Sequence, residues 1–556
     1  MKLFKKINWQ VLAVIIIAAL AVWTRFYQLD TIPAPWHLDE AGMAYDAYGL
    51  AYWRVNRQMM HLPVYLLNYG DGQSVLYAYT TAVLIKIFGD ITPLVARLPA
   101  ALLSLTIVVF ASLFIRKASG GGKRVALLAA FLLTIFPQFI MQGRFALDCN
   151  LFLGMSVLAT YSTLLAISAQ KRWHWVVAGV IWGITLYSYA LSWIVVPIFL
   201  LFLLIYLFYL KKISLAKLLC LVLPILVIGL PLIIFVVIEF FDLPPVFSHF
   251  YYIPRLTGSR MSSFELLNLV NFLKLPRLLF WVQDGEAYLP YPTFYWISVP
   301  LALSGMYLAG KDFWLKLRKK KFVASAIPIF FFVANLVQVA INSAHSNDTH
   351  HINSVFWPMA FFIVWAIIHF YRRLVSAKKK QLFLAVLLVI YSSGFLIFVY
   401  QYFLIFPRVP TYQKSFMYSQ TPNVALAQLD AWAREHGVEE IVAEKTIWID
   451  IPRYVLYYLG AKTPIPEMDL TSDVMNEVRF GNLRFSFMPG RDHCPGSGFC
   501  PVEIEQQDIY IVNSRETEYR NKLLSLGMKE IYRDNAFSIL LLESEFEATS
   551  SEKLID

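Results

Sequence analysis

Apolar runs long enough to cross a lipid bilayer recur through the first 406 residues of the chain. Of its 556 residues, 58% are hydrophobic and only 15% are charged, whereas an average soluble protein carries about 25% charged residues. The runs are continuous and do not alternate with polar residues, which is typical of membrane helices and not of barrel strands. The sequence therefore predicts a polytopic α-helical membrane protein.

Short clusters of Lys and Arg separate these runs and set the predicted topology, because basic residues beside a span stay on the cytoplasmic side. The clusters also account for the net charge of +11, so we exclude nucleic acid as a partner. An uncleaved first span is favoured over a signal peptide, since no small-residue cleavage site leads into a soluble domain. The N-terminus is then cytoplasmic, in a plasma or inner membrane. About eleven spans are predicted: residues 9–28, 93–115, 122–142, 148–169, 174–190, 191–210, 215–239, 291–310, 323–342, 354–371 and 382–405.

Two long segments lie outside the cytoplasm in this topology. Residues 29–92 form the first outer loop, and residues 240–290 form another. Within the first loop, Val75–Phe88 is apolar but shorter than the ~20 residues that a span needs. We interpret it as an interfacial helix with Tyr77 at headgroup depth. If it spanned the membrane instead, the basic cluster at residues 116–124 would lie outside.

The composition changes after Phe406, and residues 407–556 are predicted to form a soluble extracytoplasmic α/β domain. No nucleotide-binding fingerprint occurs in it. We expect the domain either to bind a substrate or to cover a site at the membrane surface. Its predicted elements are helices Val424–Glu435 and Glu518–Leu526 and strands Glu440–Glu444, Ile509–Asn513 and Phe537–Leu542.

Cys494 and Cys500 lie close together in this outer domain. A disulfide between them fits an oxidising compartment. Two free thiols are the alternative. A zinc site is a weaker interpretation, because only His493 is adjacent.

An acidic pair, Asp39-Glu40, follows the first span directly. Carboxylates at the mouth of a membrane span are costly to place and are usually functional. One alternative is that Asp39 caps an interfacial helix over residues 40–54. Capping does not explain why Glu40 and Asp46 also crowd this apolar surface. We therefore interpret the pair as a catalytic base and its partner.

The first part of the chain resembles the GT-C glycosyltransferases of the protein O-mannosyltransferase and aminoarabinose transferase families, which use polyprenyl-phosphate sugars. The resemblance covers about residues 9–240 and depends on the order and membrane side of several short motifs. These are His37–Glu40, Ser74–Tyr79, Phe88–Asp90, Ala96–Leu103, Gly122–Arg124 and Gly143–Asp148.

The resemblance implies that residues 1–406 form a GT-C catalytic domain. It would transfer a sugar from a polyprenyl-phosphate donor to a protein hydroxyl, a lipid or a glycan outside the cytoplasm. Asp39 takes the role of the base, Glu40 supports it, and Asp148 approaches the same site from the second outer loop. Where some relatives have Lys and Pro after an acid, this chain has Gln73 and Ser74 after Asp71-Gly72, which puts metal dependence in question.

The lipid phosphate leaves readily and needs cationic contacts rather than a general acid. Four arginines on the predicted outer face are candidates, although an interface anchor is an equal alternative for Arg97. The full predicted set of phosphate and substrate contacts is Arg97, Arg144, Arg255, Arg260, Asp71, Gln73 and Tyr77.

A short outer loop carries three histidines, His345, His350 and His351, together with Asp348. Such side chains bind divalent metals such as Zn²⁺, Mn²⁺ or Mg²⁺. They also suit a lipid phosphate or the acceptor. A solvated loop without function is the alternative, because the spacing matches no strong zinc motif.

A transporter or flippase is the main alternative function. Transporters place ionisable or broken-helix sites near the bilayer midplane, whereas the acids here cluster at the predicted outer rim. A membrane scaffold that only presents the outer domain would leave Asp39, Glu40 and Asp148 without a role. The sequence therefore favours a glycosyltransferase.

Overall fold

Long helices dominate the fold, as the apolar runs predict. A computed structural model describes residues 9–33, 36–57, 60–68, 71–255, 276, 279–280, 291–341, 351–408, 440–444, 477–480, 483–488, 509–513, 517–525, 527–533 and 537–542. The helices before residue 400 are α1 (Trp9–Phe26), α2 (Leu38–Trp53), α3 (Val75–Phe88), α4 (Pro93–Ser119), α5 (Lys123–Ile135), α6 (Pro137–Met141), α7 (Asp148–Ala169), α8 (Arg172–Thr185), α9 (Ser192–Tyr209), α10 (Leu215–Phe241), α11 (Ser298–Arg318), α12 (Ala326–Ile341), α13 (Phe356–Arg373) and α14 (Ala377–Val399).

Every predicted span coincides with one of these helices or, for residues 122–142, with the pair α5 and α6. Within the described residues, seven helices are long and apolar enough to cross a membrane, or eight if the bent pair counts as one span. Helices α8 and α12 are shorter, with 14 and 16 residues. The class of a polytopic helical membrane protein is confirmed, and the number of crossings stays a prediction.

The outer helices of the bundle expose apolar surface that only lipid can cover. The window of α1 is 17% buried, although its mean hydropathy is 1.8. The window that contains α13 is 83% buried, so that helix lies at the centre of the bundle. Soluble proteins rarely expose so large an apolar surface. The bundle is therefore built for a bilayer.

A sharp break separates α5 from α6. The two helices meet at an angle of 68°. Pro137 cannot donate to the preceding turn, which ends the helix there. The guanidinium of Arg25 in α1 donates to two carbonyls of this last turn, at 2.7 Å from Thr134 and 3.3 Å from Leu133. A buried cation on α1 thus satisfies backbone groups that no water reaches.

Residues 29–92, the predicted first outer loop, contain two helices and a small hairpin. The hairpin pairs β1 (Leu66–Asn68) with β2 (Asp71–Gln73) and leads directly into α3. A second hairpin, β3 (Val246–Phe247) with β4 (Tyr252–Ile253), follows α10. The backbone N–H of Val64 donates to the carbonyl of Tyr252 at 2.9 Å, so the segment before β1 is joined to β4. The prediction that Val75–Phe88 is a separate short helix is confirmed, and its interfacial position stays a prediction.

The described part of residues 407–556 contains one mixed six-stranded sheet. Parallel pairing joins the sheet's centre, and antiparallel pairs complete both edges. The strands predicted over 440–444, 509–513 and 537–542 are confirmed, as is the helix α15 (Thr517–Ser525), whereas the other strands were not predicted. The helix predicted over 424–435 lies outside the described residues. In spatial order the strands are β6 (Glu477–Phe480), β7 (Leu483–Met488), β5 (Glu440–Glu444), β8 (Ile509–Asn513), β10 (Phe537–Leu542) and β9 (Met528–Arg533).

Candidate active site

The starts of three helices meet where the acidic residues lie. The backbone N–H of Ala146, just before α7, donates to Oε1 of Glu40 in α2 at 2.7 Å. The backbone N–H of Ser74, just before α3, donates to Oδ2 of Asp148 at 2.9 Å. These two bonds connect segments that are 106 and 74 residues apart in the chain. We call this place the acid junction and define it by Asp39, Glu40, Gln73, Ser74 and Asp148.

Asp39 is the most open acid of the junction. Its side chain is 32% exposed, whereas Glu40 is fully buried and Asp148 is 8% exposed. As the second residue of α2, it lies in the first turn, where a carboxylate interacts favourably with the helix dipole. The ring of His37 stands close, with Nδ1 3.7 Å from Oδ2 of Asp39. Of the three acids, Asp39 is the one that a substrate can reach.

The cap of α2 differs from the sequence-based expectation. We considered Asp39 as the cap of a helix beginning at Glu40, but the helix begins at Leu38 and His37 is its cap. Nδ1 of His37 accepts from the backbone N–H of Asp39 at 3.2 Å, and the backbone N–H of His37 donates to Oε2 of Glu40 at 3.1 Å. This reciprocal arrangement satisfies the first turn. The capping explanation for Asp39 is therefore wrong.

Glu40 forms a two-point ion pair with Arg97 of α4. Nε of Arg97 lies 2.9 Å from Oε1, and Nη2 lies 2.7 Å from Oε2. Both side chains are fully buried. Nη1 of Arg97 also donates to the carbonyl of Leu29 at 2.9 Å. Arg97 therefore fixes the segment between α1 and α2 from within the protein, and its guanidinium is covered on every side.

Arg144 is also buried and points at the end of α1. Its guanidinium donates to the carbonyls of Thr24 at 3.1 Å, Tyr27 at 2.7 Å and Ile32 at 2.9 Å. The ring of Phe403 lies 4.9 Å from the guanidinium carbon. Like Arg97, this arginine holds backbone carbonyls in place rather than presenting a charge at the surface.

Asp148 begins α7 and uses both oxygens. Oδ2 accepts from Ser74, as described above, and Oδ1 accepts from the backbone N–H of Cys149 at 2.8 Å. Next to it, the side-chain oxygens of Gln73 and Ser74 are buried and have no hydrogen-bond partner within the described residues. Buried polar atoms are usually satisfied by protein, water or a ligand. This side of the junction thus offers polar groups to a bound molecule.

An apolar groove begins one residue beyond Ser74. Its volume is about 480 Å³. The groove is bounded by α3, α8, α10 and the segment around β4, and α3 is joined to the end of α8 by a bond from the N–H of Leu76 to the carbonyl of Tyr187 at 3.1 Å. An apolar channel next to a polar site suits a lipid with a polar head. Its walls include Val64, Val75, Leu76, Tyr79, Ile184 and Tyr187.

The other predicted site residues lie in different surroundings. Arg255 is 44% exposed and pairs with Asp242; it follows β4, close in sequence to Tyr251 of the groove wall. The buried hydroxyl of Tyr77 donates to the carbonyl of Ala96 at 2.9 Å and so packs α3 on α4. His351 is 2.5 Å from the hydroxyl of Tyr189 through Nδ1.

Several predicted residues lie outside the described part of the chain, whereas Asp71 lies in β2. Among the described residues, no group of three or more His, Cys, Asp or Glu side chains is arranged to hold a metal ion. The metal site and the disulfide stay predictions. The residues outside the description are Arg260, His345, His350, Cys494 and Cys500.

Sequence reasoning missed a buried polar chain behind the junction. The side-chain amide of Gln138 donates to Asn353 at 2.9 Å, and Asn353 donates to Asn150 at 2.7 Å. Asn150 in turn donates to the carbonyl of Phe145 at 2.9 Å, beside the start of α7. A signal was present, because amide side chains inside apolar spans are rare. Their pairing across 215 and 203 residues was not visible in the pattern.

Known proteins resemble this chain both in sequence and in fold. Residues 73–235 match the family described as dolichyl-phosphate-mannose-protein mannosyltransferase. ArnT from Cupriavidus metallidurans, in its crystal structure bound to undecaprenyl phosphate, has a TM-score of 0.57 at 14% identity, over 97% of this chain and 99% of that chain. Its apo structure gives 0.55 at 14% identity, over 95% and 97%.

The oligosaccharyltransferase of Archaeoglobus fulgidus, in complex with Zn and sulfate, has a TM-score of 0.50 at 14% identity, over 82% of this chain and 62% of that chain. No curated protein matches the chain significantly in sequence. At such identities the structural likeness establishes the fold. The family match over residues 73–235, together with the fold shared with ArnT, confirms the predicted resemblance to the protein O-mannosyltransferase and aminoarabinose transferase families.

Proposed function

We propose that the chain is an integral membrane glycosyltransferase that moves a sugar from a polyprenyl-phosphate donor to an acceptor. The observation that carries the proposal is the position of Asp39: an accessible carboxylate in a buried polar junction, next to an apolar groove. The likeness to ArnT, whose structure holds undecaprenyl phosphate, and the mannosyltransferase family match support the donor class. The acceptor is a protein hydroxyl, a lipid or a glycan.

In the proposed reaction, Asp39 accepts the proton of the acceptor hydroxyl as its oxygen attacks the anomeric carbon. The new bond forms while the bond from that carbon to the phosphate oxygen breaks, and the lipid phosphate leaves with the electron pair. Attack opposite the leaving group inverts the anomeric centre. A positioned carboxylate base of this kind contributes about 10²–10⁴-fold to rate.

Glu40 and Asp148 act as positioning residues in this proposal. The ion pair between Glu40 and Arg97 holds the start of α2, so that Asp39 keeps its direction. Asp148 holds the start of α3 through Ser74. A site held by buried side chains on helices is rigid enough to orient a substrate. Both carboxylates thereby act through their neighbours.

The donor lies with its isoprenoid chain in the apolar groove and its phosphate at the groove's polar end. Of the predicted arginines that the structure describes, Arg97 and Arg144 are covered by protein, whereas Arg255 is 44% exposed. Arg255 is therefore the proposed cationic contact for the leaving phosphate. Gln73 and Ser74 are proposed to make polar contacts with the sugar of the donor.

The acid junction faces the extracytoplasmic side in this proposal, and the N-terminus is cytoplasmic. Basic residues support that orientation, because Arg116 and Lys117 end α4 at the helix end opposite Arg97. Residues 407–556 then lie on the same side as the junction.

Purified protein in liposomes with a polyprenyl-phosphate sugar tests the function directly. Mass spectrometry of candidate acceptors should detect transfer by the wild type, and Asp39→Asn should lower the rate at least about a hundredfold. Asp30→Asn is the matched control, because Asp30 is an exposed acid in the segment that leads from α1 to α2. Equal rates for Asp39→Asn and the wild type would exclude Asp39 as the base. Movement of the intact donor across the bilayer without transfer would favour the flippase.

A further inference from the structure

A second cavity, of about 460 Å³, lies at the far ends of the helices that build the acid junction. It is bordered by the last turns of α4, α7, α11 and α13 and by the segment before α12. Its lining combines charged and apolar side chains, among them Lys117, Leu164, Asp312, Lys316, Phe322 and Arg372.

The distance between this cavity and the junction equals the thickness of a bilayer core. Twenty residues separate Arg97 from Lys117 on α4, and twenty separate Asp148 from Ser168 on α7. At 1.5 Å per residue, Lys117 lies ~30 Å from Arg97, the partner of Glu40, and Ser168 lies ~30 Å from Asp148 of the junction. The hydrocarbon core of a membrane is also ~30 Å thick. The cavity therefore opens at the opposite membrane surface from Asp39.

The cavity is positively charged. Three cations, Lys117, Lys316 and Arg372, line it against one carboxylate, Asp312. Helix ends explain part of this charge, because a cation in the last turn interacts favourably with the helix dipole. Nη2 of Arg372 accordingly donates to the carbonyl of Ser119 at 2.9 Å.

Contacts within the protein do not neutralise all of this positive charge. Lys316 lies 3.8 Å from Asp312, one turn earlier on α11, so the single carboxylate is shared within its own helix. Lys117 has no ion-pair partner within the described part of the chain. The Lys316 side chain is 45% exposed, and an exposed i,i+4 pair of this kind contributes little to stability, so both lysines remain available to an anion.

Apolar side chains lie beside these charges. Leu164 and Phe322 line the same cavity, and α11 next to it exposes Tyr307, Trp314 and Leu315. A cationic cavity with apolar walls at the membrane surface matches a phosphate group that carries hydrocarbon chains. We propose that the cavity binds the phosphate headgroup of an anionic phospholipid, with Lys117 and Lys316 on the phosphate and Leu164 and Phe322 against the chains.

Native mass spectrometry of the purified full chain in detergent tests this site, with dioctanoyl phosphatidylglycerol as the probe. The wild type should retain at least one more phosphatidylglycerol than dioctanoyl phosphatidylcholine at equal concentrations. The double variant Lys117→Gln/Lys316→Gln should bind the retained phosphatidylglycerol roughly thirtyfold more weakly, because each lysine near an anionic headgroup contributes about a fivefold factor. Binding should also weaken with added salt.

A steric variant and a charge control separate this site from general surface charge. Ser168→Trp places a large ring at the cavity while keeping every cation, and it should also remove the bound phosphatidylglycerol. Lys211→Gln/Lys212→Gln removes two exposed cations after α9 and should leave binding unchanged.

Equal losses in the two double-lysine variants would overturn the proposal, as would equal retention of phosphatidylcholine by the wild type. If Lys117→Gln/Lys316→Gln does not fold, Ser168→Trp decides alone, since full binding by it excludes the cavity. Inorganic phosphate at millimolar concentration should compete weakly. Tight binding of phosphate without retention of phosphatidylglycerol would assign the cavity to a soluble anion and exclude the lipid.

Discussion

Glu40 and Arg97 form a fully buried ion pair with two hydrogen bonds, of 2.9 and 2.7 Å, across 57 residues of the chain. The pair connects the start of α2 to α4. It lies directly behind Asp39, the accessible carboxylate. The buried acid of the Asp39-Glu40 pair is thus placed for support, and the exposed one is placed for chemistry.

Breaking this ion pair should destabilise the fold where α2 packs near α4. Arg97→Ala leaves the buried carboxylate of Glu40 without its cation, which typically costs about 3–5 kcal/mol. We expect a large drop in the melting temperature of the purified protein, followed by intrinsic fluorescence. Glu40→Gln/Arg97→Met should be more stable than Arg97→Ala, because no charge stays buried. If the single variant were the more stable one, the pair would not hold the fold.

Substitutions at Asp148 should separate its charge from its hydrogen bonds. Asn at position 148 keeps an oxygen for the N–H of Ser74, whereas Ala keeps none. We expect Asp148→Asn to retain most of the transfer rate. Asp148→Ala should lose more of it, because it also removes a hydrogen bond to a charged group, which typically contributes about 1.5–3 kcal/mol. The measurement is kcat and KM for both variants. Equal and severe loss in both would show that the charge itself takes part.

A bulky side chain in the apolar groove should weaken donor binding selectively. Ile184→Trp narrows the groove beside Tyr187, so KM for a long-chain polyprenyl-phosphate sugar should rise severalfold while kcat changes little. A donor with two isoprene units should be less affected. Ile205→Trp is the control, because Ile205 is exposed on α9 outside the groove. Identical KM values for Ile184→Trp and the wild type would place the isoprenoid chain elsewhere.

Asp46 should make stability depend on pH. The residue is buried in α2, and burial raises the pKa of its carboxyl above the ordinary value more than Arg57 lowers it. The folded state then binds its proton more tightly than the unfolded state. The free energy of unfolding should consequently fall as pH rises from the unfolded-state pKa to the folded-state pKa.

Asp46→Asn removes this titration. We expect the melting temperature of the variant, measured relative to that of the wild type, to increase between pH 4 and pH 8. Parallel curves over this range would mean that Asp46 titrates alike in the folded and unfolded states.

The helices of the fold were predictable because each is an apolar run of the right length. Even Val75–Phe88 was distinguishable as a short helix, since it lacks the length of a span. The break at Pro137 was not predicted, although a proline inside an apolar run signals one. In the six-stranded sheet, β6, β7 and β9 escaped prediction because their patterns are short and contain charged residues.

The site was predictable only in part. The order of motifs indicated that Asp39, Glu40 and Asp148 belong together, and the structure brings the starts of their helices into contact. It could not indicate which carboxylate is buried, because burial of Glu40 depends on Arg97, 57 residues away. For the same reason, a single sequence did not reveal that Arg144 binds the end of α1 rather than the surface.

Two buried arginines determine how α1 can move in a bilayer. Arg25 on α1 binds the carbonyls where α5 ends, and Arg144 binds the carbonyls where α1 ends. A sideways displacement of α1 would pull both guanidiniums away from their acceptors and into hydrocarbon, at a cost of several kcal/mol for each unsatisfied group. These bonds therefore hold the end of α1 near the acid junction to the end of α5 and to the segment before α7. The opposite end of α1 is sparsely packed. Changes in bilayer thickness should therefore move that end and leave the orientation of Asp39 unchanged.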